Sequence, residues 1–510
     1  MLFDRKKKRR KLQEEVVSEG MPNLKKMTLT SNHIKEVLGK CSDFKMTKVF
    51  VNSEKNTYVM MAYLEGLVDH KSISEYVLKP LANGKKFREV TSEKEVFQHI
   101  EQGAVYYSAQ NIRAQISDVI SDIIDGNMVL VFDGLQTAIS FNAQEFEKRS
   151  ITEPTGENIT KGAKDAFVET LRTNTATIRR KIKTPNLVFE EIIVGKQTRT
   201  AVCLVYIDGI INQNIVKEVR SRISGMNISS GFNIGNIEEV LVDKHITVFP
   251  QSYSTERTDI FCSDIIEGRM GVLVDGIPIT LIVPVTIVNF LQAPEDYSQN
   301  FIVGSIIRTI RYALLITTLM LPAFYISVTT FHPEMMPTDL AESIIASKEG
   351  VPFSIFMEVL IMLLAFEVLV EAGLRLPKTI GQAVSIVGAL VVGEAAVTAK
   401  FVSPGVVMVV AIAAISTFAM PNQDLSNALR FWRFILAVLS SLLGLFGLAI
   451  GNILLIYSLA NMETLGVPYL APYAGSKGIY LQDTFLRLPM IFHRSRPADV
   501  KANDKDEVGK

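Results

Sequence analysis

Tyr312–Thr330, YALLITTLMLPAFYISVTT, is a nineteen-residue run without a charged side chain, entered through Arg308 and Arg311. About 18 apolar residues suffice for a helix to cross a ~30 Å hydrocarbon core, so the run reads as the first of several membrane helices. Upstream lie roughly three hundred residues patterned as water-soluble α/β protein. Downstream the apolar runs continue, and the 510-residue chain has mean hydropathy +0.24 with 48% hydrophobic residues. The expected fold class is an α/β soluble N-terminal region built from two repeated subdomains, followed by an all-α multi-pass membrane bundle. An ordinary soluble enzyme is excluded.

Beyond Thr330 the loop Phe331–Pro352 carries Glu334, Asp339, Glu342 and Glu349 against Lys348. Basic residues favour the cytoplasmic side, so the loop is expected outside and the N-terminal region in the cytoplasm. Further apolar stretches are Phe353–Leu374, Ile380–Ala399, Val402–Met420 and Phe434–Ala460. Five full crossings would leave the basic tail (Arg487, Arg494, Arg496) outside, against the positive-inside tendency. Either the fifth stretch bends back near Gly444–Gly451 or another segment is re-entrant.

Ionisable residues inside spans are costly and stand as functional candidates. Glu358 and Glu367 lie within the second stretch, and Glu367, Glu371 and Arg375 share one helix face at i, i+4, i+8 spacing. Glu371 and Arg375 also read as a plain interfacial ion pair. In the third stretch, Gly381, Ser385, Gly388, Val392 and Ala396 form a small-residue face, with Gln382 and Glu394 as polar additions. Such a face serves close helix packing or lines a pore. The pore reading offers Gln382, Ser385, Val387, Gly388, Leu390, Val391 and Glu394 as pore or gate residues.

The soluble half repeats itself. Tyr63–Asp69 (YLEGLVD) returns as Tyr206–Asn212 (YIDGIIN), and Ser121–Gly134 (SDIIDGNMVLVFDG) as Ser263–Gly276 (SDIIEGRMGVLVDG), at offsets of 143 and 142 residues. Each copy reads as a β run, a glycine turn, a helix, a second helix and a hairpin with an Asp-Gly turn. The matched glycines are read as turn formers with φ > 0. Between the copies Lys161–Lys183 places Phe167, Leu171, Ile178 and Ile182 at helical spacing amid Arg172, Arg179, Arg180, Lys181 and Lys183. This connector packs across both copies with a solvated basic face, or it touches lipid head groups or an acidic partner through Arg179 and Arg180.

The N-terminal run Arg5, Lys6, Lys7, Lys8, Arg9, Arg10 and Lys11 has no apolar stretch behind it, so it is no secretory signal. It reads as a solvated tail or as a contact with an anionic leaflet. Charge is balanced at 53 basic and 53 acidic residues, which gives no field selecting nucleic acid. Cys41, Cys203 and Cys262 are too dispersed for a disulfide framework or a CxxC site, and scattered histidines argue against zinc. Gly156–Lys164 fails as a phosphate loop, and no GxSxG or HExxH motif occurs. No metal, cofactor or catalytic residue is expected.

Many short motifs in one order resemble the A subunits of the spore germination nutrient receptors, the GerA type. They include Glu153-Pro154, Asn174, Ile178-Arg179-Arg180, Phe249-Pro250-Gln251, Glu267-Gly268-Arg269 and Glu295-Asp296-Tyr297. Further on come Leu321-Pro322, Phe331–Thr338 (FHPEMMPT), Glu371–Pro377 (EAGLRLP), Ser403-Pro404, Gly466–Tyr469 and Arg496-Pro497. Departures from the family pattern are Lys161–Ala166 before Phe167, Thr258 in place of Pro, and Glu394 in place of Gln. The resemblance implies a multi-pass protein of the spore inner membrane that works with a transporter-like B subunit and a lipoprotein C subunit. It further implies an A subunit that oligomerises into a nutrient-gated ion channel.

The expected organisation is a basic tail (1–30), a first α/β subdomain (31–145), a connector helix (146–189), a second subdomain (190–300), a bundle (308–460) and a polar tail (461–510). Two rival functions stay open: a transporter with its own substrate site, and a scaffold docking germination factors.

Overall fold

The computed structural model describes residues 27–51, 57–105, 110–145, 157, 162–226, 233–375, 393–474, 483–487 and 489. The basic run at 5–11 and the greater part of the third apolar stretch lie outside them.

In the first α/β unit, helix α1 (Ser31–Leu38) precedes strands β1 (Phe44–Phe50) and β2 (Tyr58–Leu64). Helix α2 (Glu93–Glu101), β3 (Gln110–Arg113), α3 (Ile116–Ile124), β4 (Met128–Phe132) and β5 (Thr137–Phe141) follow. The five strands lie in the order β1-β2-β4-β5-β3, all neighbours antiparallel. Every residue of β4 is buried within the core of this unit. Its unbroken run MVLVF reflects that two-sided burial rather than alternation.

The second unit contains α4 (Leu171–Lys181), β6 (Leu187–Val194), β7 (Thr200–Ile207), α5 (Gln213–Ser224) and α6 (Ile234–Leu241). Then come β8 (Tyr253–Thr255), α7 (Thr258–Glu267), β9 (Met270–Val274) and β10 (Thr280–Val283). Its sheet order, β6-β7-β9-β10-β8, matches the first sheet strand for strand. The repeated sequence motifs occupy the same elements: β2 and β7 end in them, and α3–β4 and α7–β9 are built from them. Gly66 and Gly209 take φ of +88° and +90° at equivalent turns, a region that disfavours side chains. The Asp-Gly turns differ. Gly276 has φ +85°, whereas in the first unit the left-handed position falls on Gln136 at φ +51°, because Asp133–Leu135 forms a 3-10 turn.

Among the described residues of the connector, the helix spans Leu171–Lys181; residues 162–170 are non-helical, with Ala166 bridging Arg257 and the Phe167 N–H donating to the Glu256 carbonyl. That pairing satisfies backbone groups a helix would otherwise use. Asp275 then accepts from the Leu171 N–H at 3.2 Å and caps the helix from across the unit.

Asn300 caps a 31-residue helix, α8 (Phe301–Phe331), through the Ile302 N–H at 2.9 Å. The helices α9 (Thr338–Ser347), α10 (Ile355–Arg375), α11 (Pro404–Phe418) and α12 (Gln423–Ala460) follow, the last interrupted at Gly444 (φ +63°, ψ −139°). Among the described residues, α8 and α12 are long and apolar enough to cross a membrane. The two arms of α12 lie against each other. A Cβ on Gly447 would sit 2.0 Å from the Leu439 carbonyl oxygen, and one on Gly451 2.4 Å from Leu436 Cδ2. In a straight helix those pairs would be ~12 and ~22 Å apart. Gly444 packs on Phe331 and His332 at the far end of α8, while both ends of the hairpin return to the second α/β unit. There Ser254 Oγ donates to Asp424 at 3.2 Å, and Thr247 meets Met462 at 3.5 Å. Among the described residues, the fifth apolar stretch bends back on itself at Gly444.

One hydrophobic core runs from the second sheet into the bundle, joining Phe189, Cys203, Phe261 and Phe290 to Leu425, Leu429, Leu455 and Tyr469. Phe249 stacks on Trp432 with centroids 6.4 Å apart, and Tyr469 closes on Phe249 and Phe290. Each such fully buried aromatic contributes roughly 1.5–3 kcal/mol.

Candidate functional site in the helical bundle

Two carboxylates of α10, one fully buried and one half-buried, organise the bundle. Near the start of α10, Glu358 is fully buried, and its Oε2 accepts from both the N–H and the hydroxyl of Ser403 at 2.7 Å. Ser403 is the N-cap of α11, and Pro404 suits the first helical turn. A carboxylate here satisfies a free N–H and lies at the positive end of the helix dipole. Lys348 Nζ stands 3.8 Å from the other oxygen, so one side chain ties the α9–α10 connection to α10 and α11.

Further along α10, Glu367 takes Arg430 Nη1 at 2.7 Å and Arg433 Nη2 at 3.2 Å. Both arginines precede Phe434, where the fifth apolar stretch begins. The structure starts α12 at Gln423, with Asn422 accepting from the Asp424 and Leu425 N–H groups, so both lie inside the helix. Local hydropathy missed those turns because the charges depress it; their helical spacing opposite Glu367 is the signal that was available.

At the base of α8, Asp296 holds Arg308 Nε at 3.1 Å and Arg311 Nη1 at 3.0 Å, and Arg308 also reaches Asp483 at 2.8 Å. Arg308 is fully buried, so this pair works as a joint between the bundle and the segment before it. Nothing in local sequence pointed to Asp483, 175 residues away.

The other candidates separate. Arg179, offered to lipid or a partner, is instead fully buried on Asp43, because α4 presents that face to the first unit; Arg180 faces solvent. Glu371 is exposed on α10, and the side chain of Arg375 lies outside the described residues. Glu394 is exposed in a short helical segment at 393–398 that leads toward Ser403. Gln382, Ser385, Val387, Gly388, Leu390 and Val391 lie outside the described residues, as do Arg5, Lys6, Lys7, Lys8, Arg9, Arg10 and Lys11. Among the described residues no group of His, Cys, Asp and Glu is arranged to hold a metal.

The family model of the Bacillus/Clostridium GerA spore germination proteins matches residues 32–499. The chain belongs to this family. It is 37% identical to spore germination protein KA of Bacillus subtilis (strain 168) over 476 residues, 93% of this chain and 87% of that protein. With spore germination protein B1 of the same organism it shares 34% over 466 residues, 91% of this chain and 95% of the relative. Among solved structures it is similar to the N-terminal domain of the A subunit of the Bacillus megaterium spore germinant receptor GerK3. That likeness has 29% identity and TM-score 0.39, and it covers 51% of this chain and 96% of the other. GerA membership gives this chain a role in spore germination and sets it among signalling components rather than enzymes. Ser403-Pro404, which marked the GerA resemblance, sits at the start of α11, and residues 371–375 of the Glu371–Pro377 motif end α10.

Proposed function

We propose that this chain is the A subunit of a nutrient germinant receptor, working with a membrane B subunit and a lipoprotein C subunit in the spore inner membrane. Its N-terminal region is a duplicated α/β module facing the cytoplasm, and its multi-pass bundle assembles with other copies into a nutrient-gated ion conduit. The observation that carries the reading is the core shared by the second sheet and the α12 hairpin, within a chain matched to the GerA family over residues 32–499. A shared core transmits displacement, since packed interiors switch between discrete arrangements rather than deforming smoothly. The equal strand orders support the duplication. The return of both hairpin ends to the second unit supports a tail on the same side as the N-terminal region.

The conduit is assigned to the third apolar stretch, with Gln382, Ser385 and Gly388 leaving room, Val387, Leu390 and Val391 as an apolar gate, and a ring of Glu394 attracting cations. Full-length protein reconstituted in planar bilayers tests it. The expected result is a cation-selective conductance that Glu394→Gln reduces without altering assembly. Conductance indifferent to Glu394, Val387, Leu390 and Val391 replacements would remove this stretch from the pore.

A further inference from the structure

The Arg430–Arg433 pair carries more positive charge than Glu367 answers. Arg433 is 1% exposed, yet its Nε and Nη1 have no hydrogen-bond partner, and neither has Arg430 Nε. Arg430 spends its other groups on Glu367 and Asn427. Two guanidinium groups against one carboxylate leave a net charge of +1 with three buried donor atoms free. Burying such donors is costly until an anion completes them.

Arg430 and Arg433 line a small cleft of about 70 Å³ between α10, α11 and α12. Its lining also includes Glu367, the polar Thr417, Gln423 and Ser426, and the apolar Phe366 and Phe418. Phe418 is 69% exposed, so the cleft opens on the outer surface of the bundle rather than into its core. Asp424, bound to Ser254 of the second α/β unit, marks the inner end of α12. Arg430 and Arg433 lie ~9 and ~13 Å further along the helix. Long arginine side chains bridge such depths toward the head-group level.

We propose that this cleft binds the phosphate of an anionic phospholipid from the cytoplasmic leaflet, with its acyl chains against Phe366 and Phe418. Guanidinium forks match phosphate oxygens in charge and geometry. A free phosphate would meet only the cationic end, whereas a lipid also covers the apolar walls, and basic pockets between helices at this face suit anionic head groups. The inference rests on the membrane reading given above.

The test uses the full chain, Arg433→Gln, Arg430→Gln and Glu367→Gln in nanodiscs of phosphatidylcholine with graded phosphatidylglycerol, with bound lipid counted by native mass spectrometry. Wild type should retain phosphatidylglycerol over phosphatidylcholine. Each arginine variant should weaken retention about five-fold, the ratio that ~1 kcal/mol per basic residue gives. Glu367→Gln should strengthen retention, an outcome that loss of folding does not produce. Equal retention by wild type and both arginine variants, in discs that incorporate all of them normally, overturns the site. So does displacement of the lipid by inorganic phosphate at comparable concentration, or a photo-cross-linker at Ser426 that captures a protein carboxylate segment instead of lipid. A chain that refuses nanodiscs and stays soluble without lipid overturns the membrane reading and the site together.

Discussion

Arg179 grips Asp43 through two parallel bonds, Nε to Oδ2 at 2.9 Å and Nη2 to Oδ1 at 3.1 Å, with both side chains closed off from solvent. Arg179 belongs to α4 and Asp43 to the loop entering β1, so this pair joins the two α/β units. The guanidinium also lies over Phe189, 4.7 Å from the ring centroid. Around it, Ser42 donates its N–H to the Phe189 carbonyl at 2.8 Å, and Arg172 bridges Glu191 and Glu65. Arg179 thus lies in an internal seam, while Arg180 of the same basic face points to solvent.

Removing one partner of this pair strands the other charge in a dry interface. Asp43→Ala or Arg179→Met should each destabilise the α/β region by roughly 3–5 kcal/mol, while the double change Asp43→Leu with Arg179→Met should lose much less. Denaturant titrations followed by circular dichroism measure all three; single variants within 1 kcal/mol of wild type would contradict the pairing.

Gly444 adopts a backbone region that side chains avoid, and a Cβ there would lie 3.0 Å from Phe331 Cβ. Gly444→Val should therefore cost roughly 1–3 kcal/mol through strain and lower the thermal midpoint in detergent. In the topology proposed above, the same bend keeps the tail on the side of the N-terminal region. A cysteine at Asp339 should react with an impermeant maleimide from outside, whereas one at Ala474 should react only after the membrane is opened. Labelling of Ala474→Cys from outside would mean a straight fifth crossing.

The three cysteines are all buried. Burial raises the Cys41 and Cys203 thiols, and pushes Cys262 up to about 12. Since the thiolate is the reactive form, the folded chain should resist iodoacetamide at pH 8 and react at all three sites once denatured. Rapid alkylation of any one in the native protein would show that its surroundings open.

Glu157 accepts from Thr255 Oγ1 at 2.9 Å, but burial dominates and raises its carboxyl to about 7. A carboxyl raised in the folded state favours folding below its unfolded value near 4.5 and loses that contribution as pH climbs through 7. Glu157→Gln removes the titration, so it should match wild type near pH 4 and exceed it in stability near pH 8, by no more than about 3 kcal/mol. Parallel melting curves at the two pH values check this; a variant less stable at pH 8 would reverse the sign.

Local pattern carried much of the architecture. The uncharged run Tyr312–Thr330 falls inside α8, and the glycines from Gly444 to Gly451 marked the place where α12 folds back. The repeated motifs identified the strands that occupy equivalent places in the two sheets. These features depend on neighbours a few positions apart, because helix and strand periods are short. The partners of charged residues were another matter. The spacing of Glu367, Glu371 and Arg375 put them on one helix face but gave Glu367 no partner, and it is held by Arg430 and Arg433, sixty-three and sixty-six residues on.

The sequence by itself determined where apolar surface must be buried, since transfer from water acts on each side chain in proportion to its own area. It thereby settled the change from α/β chain to helical bundle and the glycine positions where the backbone could turn. Only the tertiary structure decided where each charge finds its partner: Arg179 on Asp43, Arg308 and Arg311 on Asp296, and Glu358 on the N–H and hydroxyl of Ser403. A buried charge is tolerable only beside a partner of fitting geometry. Such partners come from distant segments, so their identity exists only once the packed elements have brought them together.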